Sequence, residues 1–361
     1  MAPYYVLQIY NSSGTLQATV VDFLAVKVVR VVNGVDTTTF SLDGSSPSVG
    51  YVSYGAIIEV YRSDLDAGIA SYREFAGMIR GITQTISDRT VYDVSAVGFN
   101  ALLADRQVAY YAGVSNRTQF SAVVSETIMK TLWNYNVSTS ATTANGRFLD
   151  GRLTGATAAT SGGAGTAQSI SVAQMNLLQA LQKVQLGAGG DFAVSYTAPA
   201  TWTFNWYTGQ LGTDRSATVT FSVGNGTIGK LVIKTDRVQD ITATVVAGQG
   251  EGSARAIVTR PASLPTGLDL REGYIDARNQ KTTAEYQAVG DAALTLATRQ
   301  RSTVDAQVLQ SQALRYGRDY FFGDLVSVYT GATTVTRKIS TVALSLSKEG
   351  AESIDVGLIP N

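Results

Sequence analysis

The chain contains no cysteine and no histidine. The first absence excludes disulfides, thiolate nucleophiles and zinc–sulfur sites. The second removes the commonest general base and the commonest transition-metal ligand, so no imidazole-dependent triad can form. Charge is scarce as well. Only 16% of the 361 residues are charged, and 28 basic residues balance 28 acidic ones. A nucleic-acid coat needs a basic surplus to displace counterions, and this chain has none. A neutral surface also repels copies of itself weakly, so self-association carries little electrostatic cost. No stretch approaches the roughly 20 apolar residues that span a bilayer, and membrane insertion is not expected. The opening Met1-Ala-Pro-Tyr-Tyr-Val-Leu-Gln-Ile-Tyr lacks the basic and apolar regions of a signal peptide, so synthesis in a cytosol is expected. Of the common hydrolytic chemistries, a carboxylate pair of the glycosidase type stays open.

Apolar residues make up 45% of the chain, enough for a substantial core over two or three domains. Period-two patterns dominate both ends. Ala25 to Val32 is rich in β-branched residues, Asn33-Gly34 is a two-residue hairpin turn, and Asp36 to Leu42 returns as the partner strand. Ala56 to Arg62, Glu74 to Thr83 and Thr90 to Val97 continue the series, which predicts a barrel or sandwich. Gly98 to Arg106 changes period, with Phe99, Leu102, Leu103 and Arg106 at helical spacing. The same spacing predicts a helix over about Thr118 to Trp133, with Thr118 as cap and Phe120, Val124, Ile128 and Leu132 on one face. Another is predicted over about Val172 to Leu186, capped by Ser171 and ended by Gly187. Between them, Gly151 to Ser169 is a run of Gly, Ala, Thr and Ser with little to bury, read as a mobile surface loop.

Strand patterns return at Trp202 to Tyr207, Ala217 to Val223, Leu231 to Lys234 and Gln239 to Val246. A long helix is predicted from about Thr283 to Gln300. Thr282 and Glu285 form its capping box, and Ala288, Ala292 and Leu296 give it a face suited to close packing. The end is β again, at Asp324 to Tyr329, Val335 to Leu346 and Ser353 to Ile359. The two β ends could be duplicates, although no direct sequence repeat relates them.

Several motifs invite a chemical reading. Gly224-Asn-Gly-Thr-Ile-Gly229 has dinucleotide-loop spacing, but a strand pattern follows where that loop requires a helix, so a β-turn is expected. Gly248-Gln-Gly-Glu-Gly-Ser-Ala-Arg255 resembles a phosphate cradle, yet a hairpin loop needs the same glycines and only Arg255 is basic. Asp64 and Asp66 lie in a polar stretch without the ligand pattern of a calcium loop. Asp319 and Asp324 flank Tyr320-Phe-Phe-Gly323, with Gly323-Asp324 opening the next strand. At period two, Trp202, Phe204 and Trp206 share one face, beside Tyr207. Such a stripe is either core or a platform for sugars or bases. Eighteen tyrosines against few lysines also match the composition of contact surfaces. No catalytic, cofactor-binding or metal-binding residue is nominated, and no cofactor is expected.

Four segments in order resemble the siphophage tail-hub family, also called baseplate hub or tail-associated tail-tip proteins. They are Phe75-Ala-Gly-Met-Ile-Arg-Gly with Tyr92 to Arg106, Gly248 to Arg255, Arg271-Glu-Gly-Tyr-Ile-Asp-Ala-Arg278, and Tyr320-Phe-Phe-Gly-Asp-Leu-Val-Ser-Val328. The resemblance runs from about residue 55 to the end, with no matching motif over residues 140 to 230. It implies a mixed, β-rich fold with two tail-tube-like β-barrel or sandwich domains and α/β connecting domains. On that basis residues 1–98 form a first barrel. Residues 99–225 form an α/β middle with a flexible loop at 151–169, and residues 226–361 a second barrel with a helical insertion at about 279–302. The resemblance further implies a homotrimer whose six barrels make a pseudo-sixfold ring at the tail tip of the virion. Its partners would be the distal tail protein or tail tube, the tape measure protein, and a tip fibre or receptor-binding protein. Phage DNA would pass through without specific binding. Longer relatives continue into fibres or lytic domains; with Asn361 following the last strand, those activities are expected from another protein. The alternatives are a tail-associated wall hydrolase using two carboxylates, and a glycan-binding module using Trp202 and Trp206.

Overall fold

The structure is a computed structural model and describes residues 3–110, 118–172, 174–238, 240–278, 280–300, 302–311, 313–347 and 350–360. Seven strands open the chain: β1 (Tyr4–Tyr10), β2 (Leu16–Val20), β3 (Ala25–Val31), β4 (Thr37–Asp43), β5 (Ile57–Asp64), β6 (Ile69–Thr85) and β7 (Val91–Gly98). The middle carries α1 (Ala101–Ala104), β8 (Thr118–Val124), α2 (Ser125–Asn136), β9 (Ala156–Ala158), β10 (Ala167–Val172), α3 (Leu177–Ala188), β11 (Asp191–Thr197) and β12 (Thr201–Tyr207). After it come β13 (Thr220–Phe221), β14 (Ile228–Thr235), β15 (Ala243–Ala247), β16 (Ile257–Arg260), β17 (Glu272–Asp276) and α4 (Thr283–Gln300). The chain closes with β18 (Ser302–Val308), β19 (Leu325–Tyr329), β20 (Thr334–Leu346) and β21 (Glu352–Pro360).

Both β ends join one 13-stranded sheet, ordered β14-β18-β21-β20-β3-β4-β7-β6-β5-β1-β2, with β19 beside β20 and β13 beside β19. The order contains a repeat. The path β3-β4-β7-β6-β5-β1 has the same sequence logic as β14-β18-β21-β20-β19-β13. Registers and burial agree with it. Across the first unit the row Val28–Thr38–Ala96–Ile79 is paired strand to strand, and across the second the row Ile233–Val304–Leu358–Ile339. Each long strand is bulged at the same place, between Ile79 and Gly81 in β6 and between Ile339 and Thr341 in β20. Ile58 and Val60 of β5 are buried like Val326 and Val328 of β19. One departure exists: β1 runs antiparallel to β5, whereas β13 runs parallel to β19. The duplication is thus carried by alternation and register, which many sequences satisfy, and side-chain identity is free to drift.

Asn33 adopts the left-handed conformation in the β3–β4 turn, at φ 57°, as a tight hairpin requires. One core runs through both units, from Leu7, Phe40, Leu42, Ile58 and Val94 to Phe221, Val304, Val326, Leu344 and Leu358. The units meet where β20 pairs with β3, from Thr341 opposite Val31 to Leu346 opposite Val26.

The middle has its own core, built on Trp133, Ile128, Leu132, Leu177, Leu181, Phe192 and Phe204. Here three expectations are corrected. Thr118 to Val124 is strand β8 paired with β10, and helix α2 begins only at Ser125. The spacing of Phe120 and Val124 fits a strand face as well as a helix face, and a partner strand decides between them. Ser171 lies buried in β10; the side chain that caps α3 is Asn176, accepting from Gln179 N, and the helix runs on to Ala188. Residues 151–169 are not a plain loop. They contain β9 and the first half of β10, and their turn is held by the Glu126 carboxylate, which accepts from Gly162 N and, at 2.8 Å, Ala164 N. Lys130 donates to both Glu126 and Thr160 O, so a buried ion pair holds the turn while Leu153 and Ala156 anchor the start of the stretch on the middle core.

The helical insertion grows from the open end of the β14–β18 hairpin. Its small sheet, β16-β15-β17, packs on α4 around Val246, Ala277 and Tyr286. The capping box is as expected: Glu285 N donates to Thr282 Oγ1 at 3.3 Å, and Thr282 N to Glu285 Oε2 at 2.9 Å. No helix among the described residues is long and apolar enough to cross a membrane.

Candidate functional site

The residues that the sequence singled out for chemistry are held by the fold. Asp64 is buried, accepts from Ala67 N at the start of a 3-10 turn, and faces Arg315 at 3.4 Å. Asp324 is buried and accepts from Thr213 N, Phe321 N and Arg215 Nε, which fixes the entry to β19. Asp319 accepts from Arg315 N and pairs with Arg318 at 2.8 Å. Asp66 lies beside Asp64 in the same turn. Gly224 to Gly229 is the turn entering β14, so no helix follows it. Gly248 to Arg255 joins β15 to β16. Arg255 turns back onto the Ala247 and Gly248 carbonyls and onto Asp276, and is committed to the loop itself. Trp202 and Phe204 belong to the middle core and Trp206 packs against it, so their shared face is an interior one. Among the described residues, no cluster of three or more His, Cys, Asp or Glu is placed to hold a metal ion.

What the sequence did not show is a buried polar seam between the two repeat units. Arg62 of β5 clamps Glu352 of β21 with Nε at 2.7 Å and Nη2 at 2.8 Å, and Tyr5 donates to the same carboxylate at 2.5 Å. Glu74 of β6, fully enclosed, accepts from Tyr72 at 2.7 Å and from Tyr316 at 2.9 Å, with Arg30 at 3.5 Å. Desolvation pushes the Glu74 carboxyl above the ordinary range, and Arg30 opposes that shift only in part. Asp191, at the start of β11, joins all three regions. It accepts from Asn33 of the first unit at 2.8 Å, from Leu211 N, and from Lys338 of the second unit at 3.1 Å. These partners lie far apart in sequence, and no local pattern announces them. A cavity of about 210 Å³ sits at this seam, lined by Arg30, Asp36, Arg73, Glu74, Asn100 and Tyr196. That is below the roughly 300 Å³ at which small-molecule sites begin.

From β21 through β20, β3, β4 and β7 to the end of β6 the long sheet has one core face and one solvated face, whereas β5 and β19 are buried on both. On the solvated face a single row crosses six strands of both units: Ser353, Ser345, Lys27, Thr39, Ser95 and Gly81. Its neighbours are Thr37, Ala343, Asp355, Ser41, Asp93 and Thr83. The surface is therefore hydroxyl-rich, with charges of both signs and no basic track for a phosphate backbone. The main path of the sheet ends in open edges at β14 and β2, and β13 ends the side branch. Apolar side chains are exposed near them, including Leu16, Val21, Val232 and Ile233.

A duplicated β unit on one continuous sheet, with an α/β middle clamped across the seam, is an architecture shared with solved phage tail proteins. A tail protein from Neisseria meningitidis MC58 superimposes with a TM-score of 0.59 at 10% identity, covering 99% of this chain and 97% of that one. The 43 kDa tail protein of prophage MuSo2 from Shewanella oneidensis gives 0.60 at 11% identity, covering 98% and 97%. The prophage tail protein gp18 from Listeria monocytogenes EGD-e gives 0.54 at 9% identity, covering 99% and 94%. At such identities the likeness is one of fold. The sequence itself matches the siphovirus ReqiPepy6 Gp37-like protein family over residues 6–358, and the chain belongs to that family. No curated protein matches it.

Proposed function

We propose that this protein is a structural hub at the tip of a phage tail, forming a homotrimeric ring that joins the tail tube or distal tail protein to the tip and surrounds the DNA exit channel. The observation that carries this reading is the duplicated sheet. Two tube-like units per chain let three chains present six equivalent positions to a sixfold tube. Residues 1–98 and 226–361 are the proposed units, with β13 placing the second unit's first strand slightly earlier, and residues 99–225 connect them. The hydroxyl-rich face is the proposed channel lining. Its mixed, sparse charge suits passage of DNA without specific binding. The tape measure protein and a tip fibre or receptor-binding protein are the remaining proposed neighbours.

No specific feature favours the hydrolase or the glycan-binding module. The seam cavity is small for a saccharide, and the Trp202–Phe204 face lies in the core. Light scattering over a concentration series and imaging of the purified particle test the hub directly. A mass of three chains and a ring at the tail tip are expected. A monomer at every concentration with no ring in the particle would refute it, and a clear zone on a cell-wall zymogram would show the structural role to be insufficient.

A further inference from the structure

The repeat has an unpaired half that its own counterpart completes. Within the chain, β20 is used along its whole length. On one side it pairs with β21. On the other, Thr334 to Lys338 pairs with β19 and Thr341 to Leu346 pairs with β3. Its equivalent, β6, pairs with β7 on one side and, through Ile69 to Met78, with β5 on the other. Beyond the bulge, Gly81 to Thr85 has no strand on that second side among the described residues. The equivalent of β3 is β14, and β14 is an open edge of the sheet. So the chain makes the β3–β20 junction once and carries both halves of a second one, unjoined.

Exposure marks the same vacancy. Aligned by the bulges, Val342 and Leu346 of β20 correspond to Ile82 and Ile86. Val342 is 0% and Leu346 7% exposed, whereas Ile82 is 41% and Ile86 74% exposed. Aligned by the four-strand rows, Val28 of β3 corresponds to Ile233, and these are 1% and 46% exposed. Val342, Leu346 and Val28, buried at the internal junction, thus have apolar counterparts left in water at the open edges, while Leu344 has Gln84 and Val26 the half-buried Leu231 as theirs; an unpaired strand with exposed apolar residues invites a partner.

We propose that β14 of one copy adds antiparallel to the free side of residues 81–86 in the next copy, in the register of the internal β3–β20 junction. This rests on the ring reading and names its subunit contact. Lys27 opposite Ser345 becomes Val232 opposite Thr85, Val28 opposite Leu344 becomes Ile233 opposite Gln84, and Val26 opposite Leu346 becomes Leu231 opposite Ile86. The occupant is a second copy because the equivalent edge inside the chain, on β20, is filled by the chain's own repeat strand β3. The contact is head-to-tail, so it closes a ring if the rotation closes. The hydroxyl-rich face then continues from one copy into the next.

The absence of native cysteine makes the register directly readable. Opposed residues in an antiparallel pair lie about 4.5–5.5 Å apart, within disulfide reach, while a residue four places along is about 13 Å away and out of reach. Thr85→Cys with Val232→Cys, oxidised by copper phenanthroline, is expected to give covalent oligomers on a non-reducing gel. Thr85→Cys with Asp236→Cys is expected to give none. Lys27→Cys with Ser345→Cys, the internal template, should cross-link within one chain and leave the mass unchanged. Ile82→Asp and Ile86→Asp should weaken association at least tenfold by light scattering with an unchanged urea midpoint. A trimer that forms normally but does not cross-link at 85–232, or that tolerates both Asp variants, overturns this contact and leaves the ring intact. A chain that neither associates nor cross-links at high concentration overturns both.

Discussion

Replacing Arg62 with methionine removes the cation of a buried clamp and leaves Glu352 with only the Tyr5 hydroxyl from this group. The Arg62 side chain is 2% exposed and that of Glu352 8% exposed, so the stranded carboxylate has little access to water. Two charge-assisted bonds are lost, at 2.7 and 2.8 Å, together with the longer contacts from Arg62 to Tyr316 O and to the Tyr72 hydroxyl. Breaking one partner of a buried pair costs about 3–5 kcal/mol, because the remaining charge stays desolvated. With an m-value of about 3 kcal/mol/M in urea, the unfolding midpoint should fall by roughly 1–1.7 M. The double variant Arg62→Met/Glu352→Gln removes the stranded charge and should recover much of the loss. Urea titrations of the parent, both single variants and the double variant give the coupling energy directly. A loss below about 0.5 kcal/mol for Arg62→Met, the scale of an ordinary surface change, would refute the claim that this pair clamps the two repeat units. So would a double variant no more stable than the single one.

Glu74→Gln tests the neighbouring site by its pH dependence. A carboxyl raised in the folded state binds its proton more tightly there than in the unfolded chain. Its contribution to stability is therefore present below the ordinary value of 4.5 and declines as pH rises towards the folded value. The stability of Glu74→Gln relative to the parent should increase over that interval; a difference that is flat with pH would contradict the assignment. Glu126→Ala should free the turn that the carboxylate holds, exposing residues 159–166 to proteolysis and rapid amide exchange, and unchanged protection there would count against it. Burial opposes ionisation of Glu126, but Lys130 and the Gly162 and Ala164 amides outweigh it and hold the carboxyl low. Stability from this site should therefore be lost as pH falls below the usual Glu range, and Glu126→Gln should lack that loss. Gly248→Ala places a Cβ 2.2 Å from the Tyr286 ring, so the insertion should lose about 1–3 kcal/mol, read as faster exchange in α4. Equal exchange in parent and variant would show that the loop can yield.

Much of the β architecture was legible because period two survives in the strands that have one solvated face. The Asn33-Gly34 hairpin, the β14 strand after the glycine turn, and the Thr282–Glu285 capping box depend on neighbours a few residues away. Their physics is local. The errors fall where a distant partner decides. Phe120 and Val124 satisfy two periods, and pairing with β10 selects the strand. Ser171 looks like a cap until β10 claims it, leaving Asn176 to cap α3. Gly151 to Ser169 has few apolar anchors, chiefly Leu153 and Ala156 on the middle core, and a buried carboxylate with its lysine holds the turn beyond them.

By itself, the sequence determined what this protein is without: no thiol, no imidazole, no basic surplus, and no net charge. It also determined the β–α/β–β order, because alternation and helical spacing are written residue by residue. The tertiary structure alone decided that the two β ends are one duplicated sheet with a shared core. That relation lies in register, burial and bulge position, none of which requires similar residues. It alone joined Arg62 to Glu352 and Asn33 to Asp191 and Lys338, since a buried ion pair is a contact across the fold and leaves no spacing in the chain. The stretch Phe75 to Arg106, legible as a hairpin running into a short helix, gained a further meaning. Ile82 and Ile86 stand exposed on its open side, where the second unit buries their counterparts.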